Sequence, residues 1–407
     1  MSLLFFAFIF RFILFPLPGY EVDLNTFSSW FGTAAQYGPR VFYNVVTWCD
    51  YPPFNVYIFW GLGSIANAYS LFGTPQMFYL IKLLPSLFDV ATTAVIFVFL
   101  RKKAKFSTSL LVATLYAFNP AIIINSAIWG QFDAIYTFFL LLSITLFLSS
   151  KPKLSIVTLV ISLLTKPQSI AIAPLIVFLI FKKHGWKMLL KSMFLGVATA
   201  LAIIIPFEWS NPIDFLSNIY FGAFEGYAYT SVNAFNLWAF GGLWVKETAF
   251  LFAVGWILFG VLVAFVLYTV QKRFQFSGEL LVIFSAFVLF FGFFMLPTRI
   301  HERYLFPALS IVALSFPFLK KMRLIYITIT LTCFINQLYV LYYLNLGTFI
   351  PADNLVVLGV SLINLATFVY VLTLLWDEFK GRQWLIYEPN KINSNNNFEE
   401  GNKAEGQ

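Results

Sequence analysis

Long apolar runs separated by short clusters of charge constrain this chain more than any motif in it. The runs fall near 2–17, 78–100, 109–127, 133–149, 154–165, 169–182, 188–206, 249–270, 279–297, 305–319, 324–344 and 356–376. A bilayer crossing needs about 20 apolar residues, and a soluble domain carries about 25% charged residues. Here 60% of residues are hydrophobic and only 11% are charged, which excludes a water-soluble fold. The fold class expected is an all-α polytopic membrane protein. It would have about twelve transmembrane helices and occupy residues 1–376.

Charge placement gives the expected orientation. The clusters Arg101/Lys102/Lys103/Lys105, Lys151/Lys153, Lys182/Lys183/Lys187/Lys191, Lys272/Arg273 and Lys320/Lys321/Arg323 fall in alternate loops. Glu21, Asp23, Asp50, Asp133, Glu208, Asp214, Glu225 and Asp353 fall in the others. Basic loops are expected on the cytoplasmic side, leaving external loops at 18–77 and 207–248. The formal charge of +8 thus orients the chain in a membrane, and no nucleic-acid partner is expected. Two histidines and two cysteines are too few for a His/Cys metal centre or a disulfide framework.

Three segments test this scheme. Residues 54–72 are apolar enough to cross, but a crossing would break the alternation of basic loops, so a re-entrant or interfacial helix is expected there. The alternative is a tilted span with inverted topology downstream. Residues 154–182 are too long for one upright helix and short for two. Thr165-Lys166-Pro167-Gln168 breaks them into an expected hairpin, with Lys166 facing a cavity. The first run carries Arg11 but has no basic leader or small-residue cleavage site, and is expected to be an anchor. Residues 377–407 read as a disordered cytoplasmic tail.

Polar residues in or beside spans are expensive and mark functional positions. Five clusters stand out on the expected external side: Glu21-Val22-Asp23, Trp129 to Asp133, Thr165 to Gln168, Asn233 to Trp238, and Arg299 to Tyr304. Asp23 is the candidate base for an acceptor hydroxyl; alternatively it caps a helix containing Phe27, Trp30 and Phe31. Arg299, His301 and Arg303 group three potential cations suited to a phosphate, with interfacial snorkelling as the alternative. Lys166 adds a cation beside a helix break. Asp133 either serves the site or caps its helix, and Asn233 and Asn236 either bind substrate or satisfy loop backbone.

These clusters, together with Tyr51-Pro52-Pro53 and in this order, resemble the GT-C superfamily of integral-membrane glycosyltransferases that use polyprenyl-phosphate sugars. The likeness is greatest to the mannosyltransferases of glycosylphosphatidylinositol assembly and their prokaryotic relatives, and it runs from position 19 to 307. The resemblance implies an inverting transfer of a sugar, mannose in the first instance, to a glycan, glycolipid or protein hydroxyl. It places the reaction on the external or lumenal face of a plasma or endoplasmic reticulum membrane. The family's first-loop acid falls on Asp23, and its donor-phosphate cations fall on His301 and Arg303, with Lys166 nearby; Arg299, in the same cluster, is a further candidate for the donor phosphate. Glu21, Tyr51, Gln131, Asp133, Gln168, Asn233, Asn236 and Glu302 would bind or orient substrate. The family pattern is often Asp-x-Asp where this chain has Glu21-Val22-Asp23. Glucosyltransferases of the same superfamily carry His-Glu-Lys where His301-Glu302-Arg303 stands, which leaves the sugar open. No metal or cofactor is assigned. The rival reading is a transporter or flippase of a lipid-linked sugar, although no internal repeat of the transporter kind is visible.

Overall fold

The computed structural model describes residues 1–351, 353–382 and 384–385. It is almost entirely helical. The first elements are α1 (Ser2–Leu14), α2 (Glu21–Val45), α3 (Pro53–Ala68), α4 (Pro75–Arg101), α5 (Phe106–Ala117) and the short α6 (Pro120–Ile123). A π-helical stretch, Ile124–Trp129, leads to α7 (Asp133–Leu148) and α8 (Pro152–Leu163), and a 3-10 turn, Pro167–Ile172, leads to α9 (Ala173–Ile204). Then come α10 (Pro212–Glu225), α11 (Ala249–Met295), α12 (Phe306–Ala313), α13 (Lys320–Asn345) and α14 (Leu355–Phe379). One parallel pair departs from an all-α fold: β1 (Ser231–Val232) pairs with β2 (Ile300–His301).

Five helical runs are long and apolar enough to cross a membrane: 75–101, 167–204, 249–295, 320–345 and 355–379. A sixth is possible by length if 106–117 and 120–129, bent by 42°, count as one. This fits a multi-pass membrane protein. The helices at 2–14, 133–148 and 152–163 are apolar but shorter, so length alone does not reach the expected twelve. Helix α11 has 47 residues, about 70 Å if straight, roughly twice a hydrocarbon core. It is broken at Gly278, and α9 is broken at Gly185, both with non-helical backbone. Both breaks fall beside basic clusters, where the sequence separates runs 169–182 from 188–206 and 249–270 from 279–297.

Helix packing sorts the loops into two groups. Lys103 pairs with Glu279, Lys182 donates to the carbonyl of Gln271 at 2.8 Å, and Arg273 pairs with Glu378 at 3.3 Å. The basic clusters at 101–105, 182–191 and 272–273 therefore gather at one end. Helix α7 runs from Asp133 to Leu148, and its 16 residues carry the chain about 24 Å from the polar motifs to that basic end.

Within the segment 18–77, a helix stands where one was expected near 54–72, as α3, and α2 precedes it with Phe27, Trp30 and Phe31. Helices α2 and α3 form a hairpin, with Gly63 lying so close to the backbone of Phe31 that a Cβ would sit 2.1 Å from its carbonyl oxygen. Glycine therefore serves close packing here. The 154–182 segment forms the expected hairpin of α8 and α9. Residues 377–379 belong to α14, which corrects the start of the expected tail; from 386 onward the tail lies outside the described residues.

Charges inside the helical body have polar partners. Arg11 of α1 meets Asp89 of α4 at 3.3 Å, and Ser126 also donates to Asp89. Lys82 donates to the carbonyls of Phe15 and Leu17 at 2.8 and 2.6 Å, satisfying carbonyls left open beyond the end of α1.

Candidate active site

The site begins in the first turn of α2. Phe27 stacks on Phe132, ring centroids 4.6 Å apart at 14°, contributing about 0.5–1.5 kcal/mol beyond area burial. That contact sets α2 against the turn between the π-helical stretch and α7. The turn depends on Gly130 at φ 86°, where a Cβ would also approach Leu24 to 2.9 Å. Trp129 and Gln131 consequently flank Asp23, donating to its Oδ2 at 2.9 and 2.7 Å. Both donors use one carboxylate oxygen, which leaves Oδ1 for a substrate hydroxyl. Asp23 makes no side-chain cap for α2.

A buried ionic cluster lies alongside. Asp133, fully buried at the start of α7, takes a hydrogen bond from Asn125 at 3.1 Å. Its carboxylate meets Lys166 at 2.7 Å and Arg303 at 3.4 Å. It makes no side-chain cap either. Lys166 is in place because the chain is extended there, between α8 and the 3-10 turn. Arg303 follows β2 and also bonds Glu302 at 2.6 Å. Tyr51 is 5.2 Å from the Lys166 ammonium through its ring. Among the described residues, Lys166 donates only to Asp133, and Nη2 of Arg303 has no protein partner. Both cations therefore keep donors for an anion.

Burial lowers the imidazole of His301 well below its ordinary value, and Arg303 and Lys166 push it the same way. Both effects favour the neutral form of the imidazole. Its ring lies edge-on to Tyr227, centroids 4.8 Å apart. Burial raises the carboxyl of Glu302 against the pull of Arg303, and raises that of Asp50 against Lys166 and Arg303.

Two cavities meet here. One of about 390 Å³ is lined by Lys166, Arg303 and Gln168 and by Phe224, Phe252 and Trp256. The second, about 320 Å³, is lined by Asp23, Gln131, Glu302 and Trp48. Asp50, Tyr51, Tyr227, His301 and Arg303 line both. Asp23, with one free carboxylate oxygen, and Arg303 line the second cavity together, and Arg303 and Lys166 both line the first, with its aromatic side chains.

Several expected residues stand elsewhere. Glu21 is exposed and lines neither cavity. Arg299 lines the first cavity, but its guanidinium is clamped by Glu247, donates to the carbonyl of Phe224 and lies 4.2 Å from that ring's centroid. Asn236 is buried, capping Trp238 and donating to the carbonyl of Phe294 at 2.9 Å. It holds loop backbone and lines neither cavity. Asn233 lines the second cavity and accepts from Trp244 at 2.8 Å. Asp50, Tyr227, Glu247 and Asn125 were not singled out by the sequence. Only Asp50 carried a signal, its position beside Tyr51-Pro52-Pro53. Among the described residues, no group of three His, Cys, Asp or Glu side chains is placed to hold a metal ion. No protein-family model matches the chain, and no curated protein is detectably similar to it.

Proposed function

We propose that the chain is a membrane-embedded, inverting glycosyltransferase that moves a hexose, mannose in the first instance, from a polyprenyl-phosphate donor to an acceptor hydroxyl. The observation that carries this reading is the meeting of the two cavities at Arg303. One offers cations and an aromatic groove suited to a lipid phosphate. The other offers the free oxygen of Asp23.

The chemistry follows from that placement. The acceptor oxygen attacks the anomeric carbon from the side opposite the phosphate and passes its proton to Oδ1 of Asp23. The bond between the anomeric carbon and the phosphate oxygen breaks, and its electron pair leaves with the polyprenyl phosphate. Lys166 and Arg303 stabilise the charge gathering there. Asp133 and Glu302 fix the two cations, and Arg299 fixes the β2 loop through Glu247. His301 offers a neutral hydrogen bond. The reading includes about twelve crossings with the basic end in the cytoplasm and the site on the external or lumenal face.

The test is sugar transfer by purified protein in lipid nanodiscs, supplied with labelled farnesyl-phosphate mannose or glucose and a lipid extract of native membranes. One labelled sugar transferred per polyprenyl phosphate released is expected. Consumption of neither donor, with lipid-linked sugar crossing vesicles containing the protein, would replace this reading with the flippase.

A further inference from the structure

A third cavity, about 300 Å³, opens beside the one that holds Asp23. The two share Tyr20, Asn233, Trp244 and Leu344 as a common wall. That wall is held in an unusual way. Asn233 and Trp244 both adopt positive φ, 63° and 59°. Asparagine enters this region readily, but a bulky aromatic residue there is a true outlier. The indole of Trp244 donates to Oδ1 of Asn233 at 2.8 Å, and its backbone N–H donates to the carbonyl of Ser231 at 2.9 Å. Strain of this kind persists where the surroundings over-determine it, and it concentrates at ligand-binding positions. Here it stands an aromatic face between the two spaces.

The lining specifies the ligand chemistry. No charged side chain lines this cavity, unlike its neighbours, so it is not built for a phosphate or a carboxylate. Aromatic faces come from Trp244, Tyr20, Tyr343 and Phe349, and polar edges from Asn233 and Thr348. Phe349 is 79% exposed at the rim and lies edge-on to Trp244, centroids 6.3 Å apart. A pyranose has the matching surface, with apolar C–H faces and a rim of hydroxyls. A lipid chain would offer no partner to the Asn233 amide N–H groups or the Thr348 hydroxyl.

We propose that this cavity is a subsite for the sugar next to the one that receives the new residue, so that the acceptor is an oligosaccharide of at least two units. The inference rests on the transferase reading for the position of the acceptor hydroxyl at Asp23. It adds the class of the acceptor and the residues that select it.

The test reads binding without turnover. The full chain in detergent is titrated with methyl α-mannoside, methyl α-glucoside and methyl N-acetylglucosaminide, and with the α-1,2-, α-1,3- and α-1,6-mannobiosides, maltoside and chitobioside. Saturation-transfer NMR reports affinity. At least one disaccharide should bind roughly five- to tenfold more tightly than its monosaccharide, the scale of one good aromatic contact. Trp244→Ala and Phe349→Ala should each remove most of that gain; Phe349 is exposed, so its removal leaves the fold intact. Absence of any disaccharide gain, or a gain unchanged in folded Phe349→Ala, would overturn the subsite. If Phe349-dependent disaccharide binding is found but no sugar is ever transferred, the transferase reading falls and with it the acceptor role, leaving a disaccharide-binding cavity. If sugar is transferred equally well to monosaccharide glycosides and disaccharides, the transferase stands and the subsite falls.

Discussion

The ammonium of Lys166 lies 2.7 Å from Oδ1 of Asp133, joining the break after α8 to the first turn of α7, with both side chains almost wholly buried. Asp133 also serves Arg303, so one carboxylate compensates two cations. Removing one partner of a buried pair costs about 3–5 kcal/mol because the other charge is left unpaired. Asp133→Asn should therefore lower the unfolding midpoint sharply, and adding Lys166→Met should restore part of it. The double-mutant cycle measures the coupling; additive losses would mean that the pair contributes no coupling.

Arg303 touches both cavities and holds Glu302 through one nitrogen. Arg303→Ala should raise the donor KM about 10- to 100-fold, the loss of one charge-assisted hydrogen bond. Arg303→Lys keeps the charge without the fork and should fall between that variant and the parent. Steady-state kinetics with farnesyl-phosphate mannose checks this, and an unchanged donor KM would remove Arg303 from the phosphate site.

His301 has a folded pKa held well below its ordinary 6.5 by burial, Arg303 and Lys166. A depressed value means that the unfolded chain binds the proton more readily as pH falls below about 6.5. The stability it contributes is full above that pH and declines as pH drops towards the folded value. His301→Gln should therefore flatten the stability profile below about pH 6.5 and leave it unchanged near pH 8. Thermal unfolding across that range decides it, and equal acid sensitivity in both proteins would contradict the assignment.

Arg299 has φ 64° and is clamped by Glu247. If it acts as a brace, Arg299→Gln and Glu247→Gln should each destabilise the protein, and the donor KM should move less than for Arg303→Ala. A donor effect as large as that of Arg303→Ala would return Arg299 to the phosphate site.

How much of this was legible in the sequence depends on whether the signal is local. Apolar runs and basic clusters are local, so the helical character, the breaks near Lys182/Lys183 and Lys272/Arg273, and the hairpin at Lys166 could be read directly. Helix α2 has too little hydropathy to register as a span. Its buried Leu24, Phe27, Phe31 and Ala34 nevertheless follow helical spacing. Glu21 and Asp23 stand two residues apart, about 200° around a helix, so both cannot face one cavity; helix formation there separates them. Asn236 and Arg299 found partners in Phe294 and Glu247, contacts across 58 and 52 residues that no local pattern records. Asp50 was missed because its importance comes from Lys166 and Arg303 lying near it in space.

The central claim is that Asp23 takes the acceptor proton, and Asp23→Asn tests it most directly. Asparagine still accepts from Trp129 and Gln131 but has lost the basic carboxylate. Sugar transfer and donor binding should be measured on the same purified sample. Transfer is expected to fall about 10²- to 10⁴-fold, the usual contribution of a general base, while donor binding is retained. Near-normal transfer by Asp23→Asn would contradict the mechanism.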